Sequence, residues 1–304
     1  MDKLSGMSGS RTSSILLMPV VLYLTVMTIF PTVYLVYLSL LKWTLLGGGP
    51  QFVGLGNFID VLSPRSADSA AFYNSLMITL AFAFAVTFIE LVLGFAIAVL
   101  LARENVIAKL TQGMLIVPLV MTPVLLDMIW KYLYDPLLGP ITYILSLFGV
   151  VGIDYLSTVP NVYISLAVVD IWQWTPLVIL ILIGGLLSLP KEQFEAAELD
   201  GATKSQILRY LTLPMVFPFI IIALMFRLVD ALKVFNKIYV LTAGGPNFAT
   251  DTLSYRIFYH SLGFVQDVGY GATLSVLFFI MVVGISTVLL LSFSRIILGG
   301  GRRT

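Results

Sequence analysis

Apolar and polar residues alternate along this chain in whole segments rather than residue by residue. Six long apolar runs are separated by shorter polar stretches, and they cover about residues 15–41, 73–101, 110–130, 162–187, 215–241 and 270–296. A helix needs about 20 apolar residues to cross a bilayer, whereas a barrel strand needs about 10 residues that alternate in polarity. The pattern therefore predicts an all-α, polytopic membrane protein with six transmembrane helices in a single domain over residues 1–304.

The composition excludes a water-soluble fold. Charged residues make up 11% of the chain and hydrophobic residues 59%, and the mean hydropathy is +1.01. Soluble domains carry about 25% charged residues. Lys3 and Arg11 precede the first apolar run, but that run is too long for the h-region of a secretory signal and lacks a small-residue cleavage site. We expect the first span to be retained as an anchor helix.

Lysine and arginine are distributed unevenly between the two sides of the membrane that six spans define. An even number of spans places both termini on one side, and cytoplasmic segments are enriched in Lys and Arg. Ten of these residues fall on the side of the termini, namely Lys3, Arg11, Arg103, Lys109, Lys191, Lys204, Arg209, Arg295, Arg302 and Arg303. The other seven are Lys42, Arg65, Lys131, Arg227, Lys233, Lys237 and Arg256. The bias predicts that both termini are cytoplasmic.

Patterns for catalysis and metal binding are lacking in the sequence. The chain has no cysteine, so neither a disulfide framework nor a thiolate metal site can form. We expect the single histidine, His260, to be a polar loop residue rather than a ligand. No Gly-x-x-x-x-Gly-Lys-Ser/Thr phosphate-binding loop occurs. The sequence predicts a protein that is not an enzyme and has no catalytic residue, metal or cofactor of its own.

A polar segment over residues 188–214 separates the fourth and fifth apolar runs. Its charged part starts at Pro190, which suits the first turn of a short helix, and Gly201 suits the end of that helix. Thr203 and Gln206 form a Thr-x-x-Gln capping box for a second short helix, predicted to end before Pro214. The residues alone leave open whether this segment merely caps the bundle or presents a docking surface to another protein.

The spacing within this segment resembles the EAA loop of ATP-binding-cassette (ABC) importer permeases. That pattern reads Glu-Ala-Ala, three residues, Gly, nine residues, an aliphatic residue, one residue, then Leu-Pro. The resemblance implies that the loop docks onto an ATPase. The implied ATPase-coupling residues are Glu195, Ala196, Ala197, Glu198, Asp200, Gly201, Leu211, Leu213 and Pro214.

The resemblance extends over the rest of the chain and points to the carbohydrate branch, in particular to the type of the larger maltose permease subunit. The segments that carry it are residues 52–58, 74–76, 130–139 and 230–235, continuing to Gly244-Gly245-Pro246. It implies a six-span type I importer core in a bacterial or archaeal plasma membrane. The implied partners are a second, homologous permease, two ATPases that hold ATP and Mg, and an extracytoplasmic solute-binding protein that delivers a sugar.

Polar groups at membrane depth are costly and therefore mark the translocation pathway. The candidates are Glu90, Asp127, Asp170, Arg227, Asp230 and Lys233. Asp170 and Trp174 share a helix face, and an aromatic ring beside a carboxylate suits a sugar. Arg227, Asp230 or Ala231, and Val234 form a second stripe. By position, the resemblance adds Leu119 and Pro123, so the predicted substrate-binding set is Leu119, Pro123, Asp127, Asp170, Trp174, Arg227, Asp230, Ala231 and Val234.

Several alternatives stay open at this point. Arg227 and Asp230 could form an internal ion pair at i, i+3 instead of contacting a solute, and Glu90 could bond to a neighbouring helix or to the other subunit. Lys233 and Lys237 are expected to extend towards the outer interface. An importer permease for a non-sugar solute would share the coupling loop, and an ion-coupled secondary transporter would show inverted repeats, which are not visible. The sequence does not identify the sugar.

Overall fold

The computed structural model describes residues 5–64, 66–102 and 105–300 of a mainly helical chain. The helices are α1 Ser5–Ser39, α2 Gly56–Leu62, α3 Ala67–Leu101, α4 Val106–Val120, α5 Pro123–Leu133, α6 Pro140–Leu147, α7 Asn161–Leu187, α8 Lys191–Leu199, α9 Lys204–Ile207, α10 Leu213–Leu232, α11 Leu253–Phe258 and α12 Val268–Gly300. Strands β1 (Leu41–Lys42) and β2 (Gln51–Phe52) pair antiparallel. Lys3, Arg65, Arg103, Arg302 and Arg303, which contributed to the charge bias, lie outside the described residues.

By length and composition, five helical segments within the described residues can each cross a membrane. They are Leu16–Ser39, Asp68–Leu101, Asn161–Leu187, Lys204–Leu232 and Val268–Phe293. A sixth span is available if α4 and α5 count as one broken segment. The prediction of an all-α, polytopic fold is confirmed.

The third predicted span is not a continuous helix. The axes of α4 and α5 differ by 96° at a short break. Met121 and Thr122 are extended at this break, with ψ values of 137° and 125°. The physical reason is proline: Pro118 and Pro123 lack the backbone N–H of a helical bond, and Pro123 also disfavours helical geometry at Thr122.

The fifth span begins and ends earlier than predicted. The expectation that the second helix of the polar segment ends before Pro214 was wrong, because α9 continues into α10. Pro214 lies in the first turn of α10, where the lost N–H is tolerated. A π-helical turn, Leu208–Thr212, joins the two helices, and the Leu213 N–H donates to the Leu208 carbonyl. Beyond Leu232, a separate π-helical turn covers Ile238–Thr242.

Two compact units make up the chain, so its assignment to a single domain stays a prediction. The first comprises Met1–Ser69 with Ile257–Phe279, and the second comprises Ala70–Arg256 with Ile280–Thr304. In the first unit, the Asn57 amide donates to the carbonyls of Ser39 and Leu41, at 3.0 and 2.8 Å. These bonds join the start of α2 to the end of α1.

In the second unit, α3, α7 and α10 pack closely. One buried apolar cluster consists of Ala98, Val178, Ile179, Leu182, Ile183, Val216 and Ala223. Glycine permits the close approach: a Cβ at Gly94 would lie 2.5 Å from Val178 Cγ1, and one at Gly185 would lie 2.5 Å from Phe219 Cγ. Small residues at helix contacts are typical of membrane bundles, where packing rather than exclusion of water drives association.

Candidate functional site

The polar segment between α7 and α10 folds into two short helices joined by a tight turn. Helix α8 ends at a left-handed residue, Gly201, whose φ is +78°. The Ala202 N–H donates to the Ala197 carbonyl at 3.0 Å, and the Gly201 N–H donates to the Glu198 carbonyl at 3.1 Å. These two bonds are the Schellman pattern of a helix C-terminus. The second helix then starts with the predicted capping box of Thr203 and Gln206.

The predicted coupling residues lie together on this element and are largely accessible. Glu195, Ala196, Glu198, Asp200, Gly201, Leu213 and Pro214 are exposed, and Ala197 and Leu211 are half-buried. A groove of about 360 Å³ is bordered by Ala197, Asp200, Gly201, Gln206, Tyr210 and Leu211. Next to them, Leu199 is 90% exposed. Leu199 and the groove therefore lie on one accessible element.

A second site lies at the centre of the α3, α7 and α10 packing. Arg227 on α10 is 1% exposed and forms ion pairs with three carboxylates. Its Nε pairs with Glu90 on α3, its Nη2 with Asp170 on α7, and its Nη1 with Asp230 at 3.2 Å. We call Glu90, Asp170, Arg227 and Asp230, together with Lys237, the ionic cluster.

Lys237 joins the ionic cluster from the other side of Asp170. Its Nζ lies 3.1 Å from Asp170 Oδ1 and donates to Gln173 Oε1 at 2.5 Å. The side chain is buried, so the expectation that Lys237 extends towards the outer interface was wrong. Asp170 therefore bridges two cations, and the pairing offsets part of the cost of burying them.

Trp174 lies beside the ionic cluster, as the shared helix face with Asp170 predicts. The Arg227 guanidinium carbon is 5.3 Å from the centre of the Trp174 ring. The indole is half-buried, whereas the Asp230 side chain is 47% exposed. Arg227 is thus held by two carboxylates on other helices, by Asp230 and by an aromatic face. The carboxylate of Asp230 and the ring of Trp174 are the accessible groups around it.

The other predicted pathway residues are more scattered. Asp127 is fully buried on α5, and neither of its carboxylate oxygens has a hydrogen-bond partner among the described residues. Leu119 is half-buried on α4, and Pro123 is exposed at the start of α5. Ala231 packs in an apolar cluster with Leu228 and Leu232, and Val234 is buried. Their assignment to a solute site stays a prediction.

Sequence reasoning did not find a third polar cluster, in which residues after α10 contact the start of α3. Asp251 forms an ion pair with Arg256, and both are buried. The Arg256 Nε donates to Ser75 Oγ at 2.7 Å, and the Leu253 N–H donates to Thr79 Oγ1 at 2.8 Å. The cluster ties the segment after α10 to the start of α3. Ser75 lies in one of the segments that carry the family resemblance. Its hydrogen-bond partner Asp251 is 176 positions away, so the local sequence pattern around Ser75 does not indicate this contact.

Comparisons with known proteins agree with this architecture. The model of the family described as "Binding-protein-dependent transport system inner membrane component" matches residues 90–297. A probable ABC transporter permease, y4oQ of Sinorhizobium fredii, is 37% identical, with 86% of this chain and 82% of the relative covered. The trehalose/maltose transport system permease MalF of Thermococcus litoralis is 32% identical, with 92% and 93% covered.

A solved structure has the same fold over nearly the whole length. It is a bacterial ABC transporter involved in the import of the acidic polysaccharide alginate, and its matching chain superposes with a TM-score of 0.81. The match covers 96% of this chain and 98% of that chain at 18% identity, so the likeness concerns the fold alone. From the family match and the two relatives, the chain belongs to the inner membrane components of binding-protein-dependent transport systems, as an ABC transporter permease.

Proposed function

We propose that this chain is one of two permease subunits of an ABC importer and forms half of the pathway for a sugar or sugar derivative. The observation that carries the proposal is the accessible α8–α9 element between two spans. It matches the EAA register and presents Glu195, Gly201 and the open Leu199 on one short segment. Such an element can transmit movement from a docked protein to α7 and α10, since it is continuous with α10.

Energy for transport is supplied by two separate ATPase subunits, which hold ATP and Mg. The sequence has no phosphate-binding loop, which supports a non-enzymatic role for this chain. A solute-binding protein delivers the solute on the outer side. The excess of Lys and Arg supports cytoplasmic termini and a cytoplasmic α8–α9 element in a bacterial or archaeal plasma membrane.

A sugar is favoured over other solutes by two observations. The Thermococcus relative is named a trehalose/maltose permease, and it aligns with nearly the whole chain. In addition, Trp174 and Asp230 both contact Arg227, so an aromatic ring and a carboxylate are available around the same side chain. Rings of this kind pack on the C–H faces of sugars, and carboxylates accept hydrogen bonds from their hydroxyl groups.

Gly201 provides the test of coupling. Valine at this left-handed position costs roughly 1–2 kcal/mol of backbone strain and distorts the turn between α8 and α9. We expect Gly201→Val to leave the protein in the membrane while ATP-driven uptake of labelled trehalose or maltose is lost. Uptake by cells that express the whole importer, with immunodetection of the chain in membranes, measures both effects.

Gly149 supplies a matched control for that experiment. It has a φ of +79° and no neighbouring atom within 4 Å of an added Cβ, as Gly201 does, but it lies in the connection between α6 and α7. Gly149→Val therefore introduces the same strain away from the coupling element, and uptake should persist. Full uptake by Gly201→Val, or equal loss in both variants, would contradict the assignment of coupling to α8–α9.

A further inference from the structure

We propose that the pathway beside the ionic cluster selects uncharged, polyhydroxylated sugars and rejects anionic ones. This inference rests on the proposed function and makes it more specific. Sugars with carboxylate, sulfonate or phosphate groups need a free cation to bind them, whereas neutral sugars need hydrogen-bond acceptors and an apolar face. The described residues around Arg227 supply hydrogen-bond acceptors and an aromatic face, which are the groups that a neutral sugar needs.

Arg227 cannot serve as an anion receptor in the observed arrangement. It is 1% exposed, and all three guanidinium nitrogens are engaged, Nε by Glu90, Nη2 by Asp170 and Nη1 by Asp230. At Nε and Nη2 an incoming anion would have to displace Glu90 or Asp170, which are both buried, and leaving either one unpaired is strongly unfavourable. At Nη1 it would have to displace the half-exposed Asp230, whose negative charge repels it.

Lys237 is occupied in the same way. It is buried, pairs with Asp170 at 3.1 Å and donates to Gln173 at 2.5 Å. Asp127 on α5 is buried, and its carboxylate has no hydrogen-bond partner among the described residues, so it adds another acid rather than a base. The ionic cluster and Asp127 together contain four carboxylates and two cations, so the local formal charge does not favour an anion.

The groups left accessible fit a neutral sugar. Asp230 uses Oδ2 to contact Arg227, and Oδ1 belongs to a side chain that is 47% exposed. It can accept a hydrogen bond from a sugar hydroxyl, while the Trp174 ring covers C–H groups. The negative charge of Asp230 would repel an anionic sugar, and like charges brought together at an interface oppose binding.

Lys233 is an exposed cation at the same end of α10 as Asp230. It follows Asp230 by three residues, at the C-terminal cap of α10. If its side chain reached the solute, anionic sugars would be bound through it. The experiment therefore includes a Lys233 variant.

The test compares matched neutral and anionic sugars on the purified complex of this chain with its second permease and ATPases, without the solute-binding protein. The probes are methyl glucoside against methyl glucuronide, and trehalose against trehalose 6-phosphate. Saturation-transfer NMR in detergent reports weak binding of each. We expect each neutral sugar to bind at least about tenfold more tightly than its anionic partner, because like-charge contact is costly.

Two variants locate the selectivity. Asp230→Asn keeps the shape and an acceptor oxygen but removes the charge, and it should reduce the neutral-to-anionic ratio to about threefold or less. Lys233→Met should leave the ratio unchanged. A change in the ratio caused by Lys233→Met would overturn the proposal.

The outcomes separate this inference from the proposed function. If the wild-type complex binds the anionic member of each pair as tightly as the neutral one, the inference fails while a sugar importer stands. If neither member of either pair binds, the sugar pathway itself fails, and the inference with it. A neutral preference that survives in Lys233→Met and collapses in Asp230→Asn supports both.

Discussion

At the scale of single residues, the position of Arg227 is explained by its partners. A guanidinium at membrane depth is costly, and Glu90, Asp170 and Asp230 offset that cost. The sequence offered one of these pairs as an alternative to solute contact, because Asp230 lies at i+3 on the same helix. It could not assign the other two, since Asp170 is 57 positions away and Glu90 is 137. Such contacts depend on which helix faces pack together.

Removal of Arg227 should destabilise the protein strongly. Arg227→Met would leave Glu90 buried without a cation and Asp170 paired with Lys237 alone, and breaking a buried pair in this way costs about 3–5 kcal/mol. The apparent free energy of unfolding, measured by denaturing-detergent titration, reports the loss. Arg209→Met is the control, because Arg209 is exposed. Equal stability of the two variants would show that the ionic cluster contributes little.

Asp135 should make the turn after α5 sensitive to acid. The amides of Leu137 and Leu138 donate to Asp135 Oδ1 at 2.9 and 2.8 Å, and these bonds hold the pKa of the carboxyl below its usual range. A lowered folded-state pKa gives stability that is present above the unfolded pKa of about 3.9 and is lost as the pH falls through the folded pKa. Hydrogen exchange at Leu137 and Leu138 should therefore lose protection below about pH 3.9.

Asparagine at position 135 provides the comparison for that measurement. Asp135→Asn keeps an oxygen acceptor but has no titratable proton, so its protection should not depend on pH in this range. A wild-type turn that keeps the same protection through acid pH would contradict the role assigned to the ionised carboxylate.

At the scale of elements, local chemistry was predictable and long-range geometry was not. The capping box of Thr203 and the left-handed turn at Gly201 follow from interactions within four residues, and both occur as predicted. Pro118 and Pro123 flank the break in the third predicted span, but a bend of 96° depends on what the two halves pack against. Pro214 predicts a helix end because helices often end before proline, whereas the π-helical turn before α10 accommodates it.

The contact between α7 and α10 should be sensitive to a single methyl group. At Gly185 an added Cβ would lie 2.5 Å from Phe219 Cγ, whereas at the adjacent Gly184 it would meet no atom within 4 Å. Overpacking of this kind costs about 1–3 kcal/mol. We expect Gly185→Ala to lower the apparent free energy of unfolding by that amount and Gly184→Ala to leave it unchanged or slightly raised. Equal effects of the two substitutions on the free energy of unfolding would contradict a close contact between α7 and α10 at Gly185.

At the scale of the whole molecule, burial differs sharply among the spans. Over an apolar 18-residue stretch of each span, 56% of the residues are buried in α7, none in the Leu16–Ser39 span and 6% in the Val268–Phe293 span. Apolar helices that are so open require lipid or another apolar protein surface around them. The proposed pairing with a second permease supplies such a surface, and the sequence pattern alone could not distinguish these spans from α7 because all are similarly apolar.

The uneven distribution of Lys and Arg predicts how the chain is oriented in the membrane. The chain has no cysteine, so a single introduced thiol is a unique probe. Leu199 on α8 and Leu137 after α5 are 90% and 89% exposed, which makes them closely matched positions. We expect Leu199→Cys to react with a membrane-impermeant maleimide in inside-out vesicles and Leu137→Cys to react in intact spheroplasts.

The reciprocal reactions are the controls: Leu137→Cys should be protected in inside-out vesicles, and Leu199→Cys in spheroplasts. Because α7 separates the two positions and crosses the membrane once, labelling of both from one side would contradict the span assignment itself. Labelling on opposite sides but in the reverse sense would leave the fold intact and invert the orientation. The inverted orientation would place the α8–α9 element on the side of the membrane opposite to the ATPases, and this would contradict the proposed coupling.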